Sequence, residues 1–335
     1  MLILRHDSSL RHDTGGHPES IARIAAINAA LGDRDWLGAE VRESSPVALQ
    51  TLYAVHPEPY VDFIRAACEQ GGGNLDADTV VSVGSFEAAQ HAAGGAVELV
   101  DALVTGEVRA GASLHRPPGH HAERAQAMGF CLFANVAVAC QHALDAHGLE
   151  RILVLDFDVH HGNGTNDIFH ADPRVLFVSL HQRPLYPGTG PADDRGSGPG
   201  LGYTVNLPLP PGSGDDAWCS MVEHVVAPLA RSYGPELVLV SAGFDAHARD
   251  PLANCEVSDA GFGAMAGTAR RLADEFGCGL GVVLEGGYDL DGLVGGLVAV
   301  LEVAGAEEAP VAPGSALGVH PLAAAAGELW DVAAG

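Results

Sequence analysis

The stretch that decides the fold is residues 151–166, RILVLDFDVHHGNGTN. Its apolar run, Ile152–Phe157, has no polar alternation, the pattern of a strand covered on both faces, as in a parallel sheet. The run closes by placing Asp156, Asp158, His160 and His161 within six residues. Burying a carboxylate or an imidazole is costly unless a partner compensates it. On an extended chain, residues two apart point the same way, so Asp156, Asp158 and His160 can project together.

Working outward, four further segments read as strands: Val108–Leu114, Val175–Leu180, Leu237–Ala242 and Leu280–Leu284. Helical patterns lie between and around them at Pro18–Leu31, Ser85–Val104, Leu132–Ala146, Asp215–Ser232, Ser258–Phe276 and Leu290–Val303. Ser85 and Ser258 are expected N-caps, and Gly148, Gly234 and Gly277 expected stops. This alternation predicts an α/β fold, a mostly parallel sheet wrapped by helices. The polar motifs sit at the strand ends. HRPPGHH follows the Val108 segment, SLH ends the Val175 segment, SAGFDAH the Leu237 segment and EGGYD the Leu280 segment. In a parallel sheet these carboxyl ends share the edge where open α/β sheets bind ligands.

The length of 335 residues and a 47% hydrophobic composition leave the domain count open. There is no composition break or repeat, and GGGNLDADT, PGTGPADDRGSGPGLG and APVAPGSALG read as surface loops, so one domain over 1–335 is the simpler expectation. The net charge is −26 and there is no lysine. Such a surface repels phosphate backbones and anionic lipid and attracts cations, which argues against nucleic-acid or membrane partners. The six scattered cysteines, without a CxxC pair, read as reduced core residues of a cytoplasmic protein, and MLILRHDSSLRHD is neither a signal peptide nor an anchor.

Asp245, at the neighbouring strand end, would give Asp158 and His160 a third companion. One imidazole and two carboxylates make three protein ligands and leave a coordination position open, as in catalytic zinc sites. Zinc is the default; iron(II) or cobalt would also suit so oxygen-rich a set.

RPPGHHA, MGF, LDFDVHHGNGT, SLH, YPGTG, AGFDAH and LEGGYD, in this order, resemble the histone deacetylase superfamily. The similarity is to its class II branch, with the bacterial histone deacetylase-like amidohydrolases and acetylpolyamine amidohydrolases, and runs from about His12 to about Val300. It implies an arginase-like single domain with a mostly parallel sheet of about eight strands, and hydrolysis of acyl-amides with one zinc held by Asp158, His160 and Asp245. It further implies a structural potassium ion on Asp156, Ser179 and Leu180 with the carbonyls of Asp158 and His160, and a second monovalent site on carbonyls of Phe169, Asp172, Val175 and Tyr203.

By the same resemblance, His120 pairs with Asp156 and His121 with Asn163. A carboxylate partner raises one imidazole's basicity and neutral Asn163 leaves the other lower, so the two rings are expected to titrate apart. His121 is assigned as general base and acid, His120 as electrostatic or acid support, and Tyr288 as the donor to the oxyanion. Phe130 and Tyr186 match aromatics that flank an acyl-lysine tunnel, with Tyr186 where phenylalanine is usual. Gly129 precedes Phe130, and Gly287 suits close approach of backbone to substrate. Asp78 falls at a rim position, Leu252 where polyamine specialists carry an acid, and Arg23 in HPESIAR near an acetate-release cavity.

The expected function is therefore a zinc-dependent deacylase acting on acyl-lysine or, alternatively, on acetylated polyamines. A binuclear manganese ureohydrolase would need more acidic ligands than the single aspartate of SAGFDAH supplies. A non-catalytic acyl-lysine binder would not require the paired histidines and Tyr288. The sequence leaves the oligomeric state open, a homo-oligomer included.

Overall fold

A computed structural model describes residues 1–311 and 317–332, so the 312–316 part of the predicted APVAPGSALG loop lies outside the described residues. The strands in chain order are β1 (Leu2–Arg5), β2 (Glu40–Glu43), β3 (Gly73–Asn74), β4 (Val80–Val81), β5 (Ala110–Ser113), β6 (Ile152–Asp156), β7 (Val175–Gln182), β8 (Thr204–Leu209), β9 (Leu237–Ala242) and β10 (Gly279–Leu284). Eight of them form one sheet in the order β2-β1-β5-β10-β9-β6-β7-β8, while β3 and β4 make a small hairpin. Every pairing in the large sheet is parallel.

Both faces of the sheet are covered, which is why its strands lack polar alternation. Leu153 and Leu155 of β6 enter one apolar core, together with Ile24, Trp218, Met265 and Leu297 from helices. Their neighbours Ile152 and Val154 enter the other, against Leu52, Ile64, Leu99 and Val136. Residues adjacent in a strand point to opposite faces, so β6 feeds two cores, as do β1, β7, β9 and β10.

The five expected strands all form. β1, β2 and β8 were not expected, for physical reasons. β1 is four residues long and runs straight into charge, and β2 is a four-residue, largely exposed edge strand. β8 carries Asn206 and Pro208, and proline is tolerated there because β8 is the opposite edge of the sheet. Ser258 caps its helix, its Oγ accepting from Gly261 N. Ser85 does not; the cap is Gly84, and Ser85 Oγ accepts from Ser82 N at 2.7 Å and pairs with His12 Nδ1 at 2.6 Å. The Leu132–Ala146 pattern becomes helical only at Asn135. The Asp215–Ser232 segment is helical with one π turn, Val222–Val226, just ahead of Pro228, where the missing N–H would break an α ladder.

The chain order of the strands positions the site. The chain crosses from β5 to β6, builds outward to β8, and then returns to lay β9 and β10 into the gap between β5 and β6. The carboxyl ends of β5, β10, β9 and β6 are thus side by side.

One clamp beneath this edge titrates. His56 is buried; its Nδ1–H donates to the Arg124 carbonyl at 3.0 Å and its Nε2 accepts from Ala134 N at 2.9 Å, closing the loop that carries Gly129 and Phe130. Burial, only partly offset by the hydrogen bond to Arg124, lowers its pKa from 6.5 to about 4. The unfolded chain therefore takes up the proton first. The stability His56 contributes is complete above about pH 6.5 and is lost as pH falls towards 4. The excess stability of the natural chain over His56→Gln is expected to shrink by up to about 3 kcal/mol across that window, measured by denaturant unfolding. A difference that stays constant from pH 7 to pH 4 would show that the ring charges equally in both states.

Candidate active site

Asp158, His160 and Asp245 each present one ligand atom, and these atoms lie within 4.8 Å of one another, all on buried residues. Backbone amides fix both carboxylates. Asp158 Oδ1 accepts from His160 N (2.9 Å) and its Oδ2 from Gly286 N (2.9 Å), while Asp245 Oδ1 accepts from Val159 N (2.8 Å). His160 Nδ1 then stands 3.1 Å from Asp158 Oδ1 and 3.1 Å from Asp245 Oδ2. Donors bound at zinc distances in a tetrahedron lie roughly 3.4 Å apart, so this spacing suits a common dication. Charge says the same. Burial opposes protonation of His160, yet Asp245 and Asp158 outweigh it and push its pKa from 6.5 up to about 10. The cluster demands positive charge, which a dication would supply. A Cβ built on Gly286 would press on both carboxylates, 2.5 Å from Asp158 Oδ2 and closer still to Asp245 Oδ2, so the floor of the cluster requires glycine.

Beside the cluster, the His120 and His121 rings lie 4.0 Å apart between centroids. His120 Nδ1 bonds Asp156 Oδ2 at 3.1 Å, and the other Asp156 oxygen accepts from Asp158 N at 3.1 Å. His121 Nδ1 bonds Asn163 Oδ1 at 2.7 Å. The Asn163 amide nitrogen is spent on Glu123 Oε1 (2.8 Å) and the His121 carbonyl (3.3 Å). Asn163 Oδ1 is therefore the acceptor and His121 Nδ1 carries the proton, which leaves Nε2 as a bare base. The two rings do differ in basicity. Burial lowers His120, but Asp158 and Asp156 outweigh it and hold it well above the usual histidine range. Burial, then the neighbouring His120 and His160, hold His121 well below it.

A cavity of about 200 Å³ opens onto this group, lined by Asp78, His121, Gly129, Phe130, His160, Leu185, Tyr186, Leu252 and Tyr288. The Phe130 ring meets Tyr288 edge-on at 5.7 Å and Tyr186 meets His121 edge-on at 5.2 Å. Gly129 and Phe130 both have positive φ, +55° and +69°. For phenylalanine this is an unfavourable backbone, and it aims the ring into the cavity. A Cβ on Gly129 would strike the His121 ring. Burial pushes the Tyr288 phenol well above its ordinary value, with Arg23 only partly opposing, so the hydroxyl stays a donor.

The remaining sequence candidates stand behind these. Gly287 is not in the lining; its carbonyl accepts from Arg23 Nε at 2.7 Å, and it serves the backbone turn at φ +117°. Arg23 is fully buried, bonds Glu19 Oε1 at 3.1 Å and lies 5.1 Å from the Tyr288 ring centroid. Asp156 and Ser179 are register partners in β6 and β7 with Leu180 next to them, all buried, and Ser179 Oγ bonds His181 Nδ1 at 3.0 Å. The carbonyls of Phe169 and Tyr203 already accept from Asp172 N (3.0 Å) and Phe177 N (2.9 Å), although a carbonyl keeps a second lone pair.

The histone deacetylase domain model matches residues 17–304. The chain is 42% identical over 277 residues to a histone deacetylase-like amidohydrolase of Pseudomonas aeruginosa, covering 82% of this chain and 73% of that one. It is 40% identical over 312 residues to the chloroplastic histone deacetylase 14 of Arabidopsis thaliana, covering 87% and 74%. The crystal structure of the HDA15 HD domain superposes with a TM-score of 0.89 at 35% identity, covering 98% of this chain and 96% of that one. This chain belongs to the histone deacetylase family.

Its fold is the deacetylase one, with the eight-stranded parallel sheet the resemblance implied. Among the described residues, no helix is long and apolar enough to cross a membrane.

Three buried acids at the deacetylase site were not singled out from sequence, although each lies in or beside a quoted motif. Glu285 accepts from Gly119 N (2.6 Å), His120 N (3.1 Å) and Ser241 Oγ (3.0 Å), tying the histidine pair to the end of β10. Asp250 accepts from Tyr288 N at 2.6 Å and fixes the tyrosine backbone. Glu19 bonds Arg116 and Arg23. The available signal was the charge itself, an acid beside Gly-Gly-Tyr and another just ahead of the helix that starts at Ile21.

Gly286→Ala tests the cluster directly. The added methyl drives the carboxylates apart, so affinity for a dication is expected to fall at least tenfold with secondary structure unchanged, read by elemental analysis and circular dichroism. Unaltered metal content would remove the assignment of that space.

Proposed function

We propose that this histone deacetylase-family hydrolase is a zinc-dependent deacylase that removes acetyl or related acyl groups from lysine side chains. The observation that carries the reading is convergence: His160 of the three-ligand cluster, His121 with its bare imidazole nitrogen, and Tyr288 all line one narrow apolar cavity. Asp158, His160 and Asp245 would hold the zinc, which when bound polarises the acyl oxygen and lowers the pKa of water to about 7.

The chain's own residues do the rest. Phe130 and Tyr186, with Leu185 and Leu252, grip the aliphatic stem and exclude water. His121 Nε2, kept neutral by burial, takes a proton from the attacking water and later passes it to the leaving amine. His120, its Nδ1 bonded to Asp156, would support the charge that develops beside the reacting carbonyl. Tyr288 donates its hydroxyl to the developing oxyanion. Asp78 at the rim would hold the substrate backbone. Arg23, at the inner end behind Tyr288, would attract the released acid. Asp156, Ser179 and Leu180 would hold a potassium ion that stiffens the base of the site, and a second ion would rest on the carbonyls of Phe169, Asp172, Val175 and Tyr203.

Leu252 and Leu185 favour an acyl-lysine over a polyamine at the mouth, because neither offers a charge to a second ammonium. Asp78 at the rim and the −26 net charge favour an acetylated polyamine as the second reading. All six cysteines are free and five are buried, which fits a reducing compartment such as the cytoplasm.

Acetyl-lysine peptides and acetylpolyamines at matched concentrations would be ranked by kcat/KM with and without chelator. Hydrolysis of the peptides, abolished by chelator and lowered about 10²–10³-fold in kcat by Tyr288→Phe, is the expected result. Polyamine turnover exceeding that of every peptide selects the second reading. Full activity in the tyrosine variant removes its oxyanion role.

A further inference from the structure

A second group of metal-competent side chains lies on the opposite edge of the sheet. Asp101 sits in the last turn of the helix Ser85–Val104, which leads into β5, and His142 and His147 close the helix Asn135–Ala146, which leads into β6. Both helices therefore end at the amino edge of the strands, away from the cavity of Phe130 and Tyr288. His142 Nε2 is 2.7 Å and His147 Nε2 2.6 Å from the same atom, Asp101 Oδ1. The three ligand atoms lie within 4.8 Å of one another.

We propose that Asp101, His142 and His147 bind a second divalent transition-metal ion, zinc or a similar cation, that fastens these two helices together. The donor set is chemically apt. Two imidazole nitrogens and a carboxylate oxygen are what zinc, nickel and copper select, and the hard cations calcium and magnesium do not. The geometry is already assembled, since three groups from two helices point at one place. Donors to a common zinc ion lie roughly 3.4 Å apart, so separations of 2.6 and 2.7 Å need to widen by only a fraction of an ångström. The rings are mostly covered, with side-chain exposures of 20% and 21%, while the carboxylate at 45% stays open to an incoming ion. Water would complete the coordination. A cleft of about 450 Å³ adjoins Asp101 and is lined also by Glu43, Glu98 and Glu107, with Arg42 the one cation among them. Its negative potential concentrates cations at the entrance. The role is structural, because the three ligands come from the ends of two packed helices and an ion held by all three would tie those ends together.

The test is a zinc titration of the metal-stripped 335-residue chain by calorimetry. Two ions per chain are expected. His142→Gln/His147→Gln should bind one and keep its deacylase activity, whereas Asp245→Asn should bind one and lose activity, so that failure of one site is separable from failure of the other. Asp101→Asn keeps an oxygen for both ring N–H groups and so preserves the hydrogen-bonded clamp, but should weaken the second ion at least tenfold. Thermal midpoints without metal show whether each variant is folded. A stoichiometry of one in the natural chain, two in the histidine double variant, or unchanged affinity in Asp101→Asn overturns the proposal.

Discussion

The constraint on which the catalytic edge depends is electrostatic: two aspartates with no exposed surface meet one imidazole at the end of a parallel sheet. Such a group is tolerable only if it is neutralised. In the protein alone His160 must carry the charge, which is why its basicity is raised so far. Nearly every local feature serves this arrangement. Backbone amides of Val159, His160 and Gly286 direct the carboxylates, and glycines at 243 and 286 leave them room. The histidine pair is placed by a further acid, Glu285, while Asp156 bridges the two groups, taking the His120 ring on one oxygen and the Asp158 amide on the other.

Much of this was legible from residues alone, and the reason is physical. Strands covered on both faces leave continuous apolar runs, and β6, β7, β9 and β10 stand out for that reason. Polar groups at their ends then mark the ligand-binding edge without any knowledge of topology. What stayed hidden is equally explicable. β1 and β2 are four residues each, and β8 contains Asn206 and Pro208, so none carries a long apolar signature. Glu285 and Asp250 bind mainly backbone amides, and Glu19 binds Arg116 nearly a hundred residues away besides its neighbour Arg23, so most of these partners cannot be read from local spacing. Ser85 looked like a helix cap because serine favours that position, but its hydroxyl is taken by Ser82 and His12.

The paired histidines show how similar residues acquire different duties. They are adjacent in sequence and their rings are nearly in contact. One is bonded to a carboxylate and the other to a carboxamide; Asp158 and Asp156 outweigh burial and raise His120, whereas burial, with His120 and His160 beside it, lowers His121. The same economy operates at Gly129 and Phe130, where a left-handed turn makes space for the His121 ring and turns an aromatic wall into the cavity that His121 also lines.

The late insertion of β9 and β10 between β5 and β6 has a consequence for biosynthesis. A nascent chain that has emerged only as far as β8 possesses the histidine pair and two of the three cluster residues, Asp158 and His160, but the central two ribbons of its platform are absent. Those contacts bridge positions far apart along the polymer, a topology associated with slow closure. A chain ending before β9 therefore lacks Asp245 and Tyr288, and the cluster and its cavity are complete only once both later segments have joined the sheet.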